Sequence, residues 1–101
     1  MSHRLNENIN NIKNDSESFL KFLKAKFPLF HNSNLFYRDF HYGLMKYLEM
    51  KEIKIKYTDA ETAANDLSSH FENQGILIKT GFQSWRVNYP EFVTTTPGDP
   101  L

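Results

Sequence analysis

The sequence predicts an α+β domain in which three helices pack on a small antiparallel sheet. Three observations carry this expectation. Apolar residues recur at helical spacing over 16–27, 34–50 and 58–74. The segment EIKIKY, residues 52–57, alternates with a period of two. The stretch GILIKTGFQSWRVNY, residues 75–89, places two short alternating runs around Gly81.

The totals set bounds on what such a domain can be. A chain of 101 residues is one domain by length, with room for a single modest core. Nine Phe, five Tyr and one Trp supply enough apolar area to stabilise a small fold without staples. There is no cysteine, which excludes disulfides, thiolate zinc sites and cysteine nucleophiles and makes an intracellular, cytoplasmic setting the expectation. No apolar run is long enough to span a bilayer, and MSHRLNENINNIKND lacks the apolar core of a signal peptide. Twelve basic and twelve acidic residues cancel, so the excess positive charge common in nucleic-acid binders is missing.

Residues 1–14 are rich in asparagine, which favours turns and caps. Leu5, Ile9 and Ile12 nevertheless fall at i, i+4, i+7, and Phe19, Leu23 and Phe27 can extend that stripe. Two forms fit: a frayed polar segment leading into a helix, or one helix from about Leu5 to Phe27. Asn14 with Glu17 resembles a capping box and supports the shorter form, with Pro28 as the stop. HNSN, 31–34, reads as a loop with Asn34 placed to cap a second helix, LFYRDFHYGLMKYLEMK. Its inner stripe is Phe36, Phe40, Leu44, Tyr47 and Leu48, and Gly43 marks a weak point or a close helix crossing.

In EIKIKY, Ile53, Ile55 and Tyr57 alternate with Lys54 and Lys56, the pattern of a half-buried strand 53–57. Thr58 and Glu61 form a T-x-x-E capping box for a third helix with Ala60, Ala63, Ala64, Leu67 and Phe71 inside. Gly75 supplies a left-handed stop. With Gly81-Phe82 as a type II′ turn, Thr80 pairs with Gln83, Ile78 with Trp85 and Ile76 with Val87. That hairpin, 76–89, would bury Ile76, Ile78, Trp85 and Val87 and expose Leu77, Lys79, Ser84 and Arg86. The organisation expected is a polar segment 1–14, a domain 15–92 and a disordered tail 93–101.

Over roughly residues 16–90 this pattern resembles a winged-helix domain, in which a small antiparallel sheet packs on three helices. The closest part is AANDLSSHFENQGILIK, with Leu67, Phe71, Ile76, Ile78 and Gly75 in the places of the last helix and first wing strand. A variant of the family, the DEP-like signalling domain, is similar over DAETAANDLSSHFENQGILIKTGFQSWRVNYPEF. The sequence departs from the family in its spacing. Residues 58–74 hold only one helix between strand and wing, so a helix–turn–helix would have to use 34–50 and 58–74.

The resemblance implies that the third helix could enter a major groove, and its charge argues against that use. Its outer face would carry Asp59, Thr62, Asp66, Ser69, Glu72 and Asn73, and 58–74 contains four acids with no Lys or Arg. Carboxylates facing phosphates repel, with no counterion release to offset them. Lys54, Lys56, Lys79 and Arg86 are expected to share the outer sheet face, with Lys51 at its rim. They form either a solvated face whose charges guard the sheet edges or a patch for phosphates, acidic protein or anionic lipid.

No catalytic pattern is present. His3, His31, His41 and His70 lie in separate segments with no second histidine at i+3 or i+4, and Ser68, Ser69 and His70 point in different directions on one helix. No enzyme activity, cofactor or metal is expected. The second helix carries more apolar surface than one stripe needs, so Tyr37, His41 and Met45 are candidates to face another chain. Leu5, Ile9 and Ile12 could pair with their copies in a homodimer, and Gly98-Asp99-Pro100-Leu101 loosely fits a carboxylate-binding groove. The reading is a non-catalytic protein-interaction or adaptor module. The alternative is a nucleic-acid-binding regulator that contacts phosphates through its wing face.

Overall fold

The computed structural model describes residues 3–92. It is an α+β fold of four helices and a three-stranded antiparallel sheet among those residues. The helices are α1 (His3–Asn14), α2 (Ser16–Lys26), α3 (Tyr37–Met50) and α4 (Tyr57–Asn73). The strands are β1 (Asn34–Phe36), β2 (Leu77–Gly81) and β3 (Ser84–Val87), in the order β1-β3-β2. A 3-10 turn, Pro90–Phe92, follows. The tail expected to be disordered, with its C-terminal Gly-Asp-Pro-Leu, lies outside the described residues.

Residues 3–14 form a helix of their own, separated from α2 at Asp15. Leu5, Ile9 and Ile12 are buried in the common core. Lys13 fastens α1 to α4 through both carboxylate oxygens of Asp66 at 3.1 Å. The stripe considered for dimerisation is therefore consumed within the chain. Asp15, rather than Asn14, stands at the start of α2, where it accepts the Ser18 hydroxyl. α2 ends at Lys26, with Phe27 as its extended cap before Pro28.

The core is locked by three phenylalanines, one from each of three helices. Phe19 packs edge-on against Phe40 at 5.8 Å, stacks on Phe71 at 6.1 Å, and all three are fully buried. Edge-to-face and offset contacts of this kind add to the burial energy. Gly43 sits at the α2–α3 crossing, where a Cβ would collide with Leu23. A side chain at position 43 would force Leu23, itself fully buried, to move.

Two expectations are corrected in the sheet. The first strand is Asn34–Phe36, not 53–57. Leu35 pairs with Trp85 on β3, so the edge of the hairpin is already occupied by residues read as the start of α3. Asn34 is accordingly a strand residue, and Phe36 stands at the helix start. Residues 53–56 keep the alternation, with Ile53 and Ile55 packed on the core and Lys54 and Lys56 exposed, but no strand pairs with them. Alternating burial needs only an extended chain; a strand also needs a ladder.

The hairpin is correct as a pair and wrong in register. Leu77 pairs with Val87, Ile78 with Arg86 and Lys79 with Trp85, then Gly81 pairs with Ser84 after a bulge. The slip places Leu77, Trp85 and Val87 inside and leaves Ile76 and Ile78 only half-buried. Two local causes act. Thr80 is the extra residue between Lys79 and Gly81, and the turn is Phe82-Gln83, so Gly81 is not the left-handed residue of a II′ turn. At the other end, Gly75 (φ +76°) closes α4 with paired bonds, Gly75 N–H to Glu72 and Ile76 N–H to Phe71. Ile76 is thereby committed to the cap.

Candidate functional site

The region that gathers exposed functional side chains is an open groove of about 730 Å³ between α4, the hairpin and the start of α3. One wall is a stripe of α4: Glu61, Asn65, Ser68 and Glu72, at spacings of four, three and four, which keeps them on one helix face. That stripe is roughly 16 Å long at the helical rise. The opposite wall is Lys79, Phe82 and Gln83 from the hairpin and Tyr37 and Arg38 from α3. Trp85, the only tryptophan, lies at the floor and is itself buried.

Glu72 fixes that floor. Its Oε2 accepts the Trp85 indole N–H at 2.6 Å, satisfying a donor that would otherwise be buried without a partner. At the other end the Tyr37 hydroxyl donates to the Glu61 carbonyl oxygen at 3.4 Å. Burial, then the Glu61 and Tyr57 charges, raise the Tyr37 pKa above the ordinary phenol value. Phe82 at the hairpin tip is 90% exposed, and Tyr57 at the start of α4 is 65% exposed. They are the two most exposed large apolar side chains among the described residues, and both line the groove. Thr58 does not act as the cap of α4, which has Lys56 at that position and no side-chain cap bond.

The four acids of α4 have different fates. Asp66 is paired with Lys13, Glu72 holds Trp85, Glu61 is exposed on the groove wall, and Asp59 is half-buried. The basic residues expected on one sheet face do not share it. Lys79 and Arg86 are neighbours of opposite parity in the register, so they stand on opposite faces of the sheet. Arg86 donates to Asn32 Oδ1 at 2.8 Å, and Lys54 and Lys56 lie in the α3–α4 connection.

Of the apolar candidates, His41 is buried rather than displayed, with its ring 4.5 Å from that of Tyr57 and 6.0 Å from that of Tyr37. Tyr37 and Met45 are half-buried, and only Tyr37 reaches the groove. His31 is a structural acceptor, taking the Tyr89 N–H on Nδ1 at 3.1 Å. Among the described residues no three His, Asp or Glu side chains converge as metal ligands, and no helix is long and apolar enough to cross a membrane. Set against protein families, curated proteins and solved structures, the chain matches none of them.

Proposed function

We propose that this domain is a non-catalytic protein-interaction module of winged-helix type, an adaptor that holds another polypeptide in the α4–hairpin groove. The winged-helix reading is supported by the element order α2-β1-α3-α4-β2-β3, with a hairpin directly after the last helix and the first strand laid on β3. The observation that carries the interaction reading is the groove itself. Its helical wall has carboxylates at both ends and no cation, while aromatic rings stand exposed along its margin. A phosphate backbone laid there would meet Glu61 on the helical wall with only Arg38 and Lys79 opposite, whereas a polypeptide can bury Phe82 and Tyr57 and match charges of both signs. The alternative, phosphate contact through a basic wing face, loses its patch once Lys79 and Arg86 stand on opposite faces.

A photo-crosslinking aromatic residue placed at position 82 tests the reading in nuclease-treated cell extract. Protein adducts at position 82, and none from the same group placed at Met50, are the expected result. Adducts that disappear with nuclease, or equal capture from both positions, would contradict it.

A further inference from the structure

The groove's charges are arranged across it, not along it. Arg38 belongs to the wall facing Glu61, because the adjacent Tyr37 reaches the Glu61 carbonyl oxygen. Lys79 belongs to the wall facing Glu72, because Lys79 pairs in the sheet with Trp85, and Trp85 is bonded to Glu72. Each level of the groove thus has an acid on the helical wall and a base on the other. Neither pair closes, since the ion pairs among the described residues are Lys13–Asp66, Lys21–Glu17 and Lys46–Glu49. The side chains of Arg38 and Lys79 make no hydrogen bond or ion pair within the described residues.

We propose that the occupant of this groove is a second copy of the chain, docked groove on groove about a two-fold axis parallel to α4. The inference rests on the groove being a protein-binding site and names its partner. A two-fold axis in that direction brings the acidic wall of one copy over the basic wall of the other at the same level. Glu61 then meets the second copy's Arg38, Glu72 meets its Lys79, and each contact occurs twice, as an isologous interface requires. Wrong partners of a single charge sign are disfavoured by the same arrangement. Phe82, almost wholly exposed in one chain, gains cover against the second. Equal totals of acidic and basic residues remove the long-range repulsion that would keep copies apart.

Sedimentation equilibrium of the full chain over a wide concentration range tests this, with two sets of charge changes. Arg38→Glu with Lys79→Glu makes both walls acidic; Glu61→Lys with Asn65→Lys makes both basic and leaves Glu72 on Trp85. All four positions are exposed, and unchanged circular dichroism confirms that each variant folds. The wild type is expected to dimerise, each variant alone to dimerise at least about tenfold more weakly, and their equimolar mixture to recover a heterodimer. A wild type that stays monomeric at every concentration overturns the inference, and so do variants that dimerise as the wild type does. If position 82 still crosslinks a different protein while the chain is monomeric, the groove reading survives and only the choice of partner falls.

Discussion

Glu72 and Trp85 make the contact on which the groove floor depends. Replacing Glu72 with Ala leaves the indole N–H buried without an acceptor, which should cost about 1–3 kcal/mol in chemical denaturation. Because Trp85 is the only tryptophan, a shift of its fluorescence reports the loosened floor, and Glu72→Gln, which keeps an acceptor, should lose less. Tyr37 gives a pH signature. Burial, with the nearby Glu61 charge, holds its pKa above the ordinary value of about 10. The stability it contributes is complete below that value and is lost as pH rises through the raised one. Tyr37→Phe should therefore flatten part of the alkaline fall in stability, measured as denaturation midpoints between neutral pH and pH ~11. An unchanged alkaline profile in the variant would exclude this residue as a source.

The helical elements differ in how plainly their sequences announce them. α2 and α4 show both a clear period and a stop, Pro28 and Gly75, and the segments expected were close to those found. β1 was hidden because its three residues continue an apolar run that also fits a helix, and only the pairing of Leu35 with Trp85 distinguishes the two. The hairpin slipped because the bulge at Thr80 leaves no signature in an alternation that reads equally well one residue along. Glu72 looked like one more exposed acid; its partner lies thirteen residues away on a strand whose inward face depends on that register. Two measurements address elements directly. Ile9→Ala should cost about 2–5 kcal/mol if α1 is part of the core, whereas a frayed segment would show almost no change. Among the described residues the backbone N–H groups of Lys54, Ile55 and Lys56 have no backbone acceptor, so hydrogen exchange there should be fast beside the slow core of α4. Slow exchange at 54–56 would restore a paired strand.

For the whole molecule, the proposed preference for polypeptide over polyanion rests on balanced charge and an aromatic-edged groove of mixed sign. The four basic residues expected to form a patch do not share one surface: Lys79 faces the groove, Arg86 the opposite side of the sheet, and Lys54 and Lys56 lie in the α3–α4 connection. Binding of nucleic acid driven by phosphate contacts would weaken steeply with salt and would need several cations on one surface. A fluorescence anisotropy titration of labelled duplex and single-stranded DNA and RNA, at low and at physiological salt, examines this. The predicted result is no saturable binding to any of them. Saturable binding that falls steeply with salt and is lost when Lys54, Lys56, Lys79 and Arg86 are together changed to Glu would contradict the account.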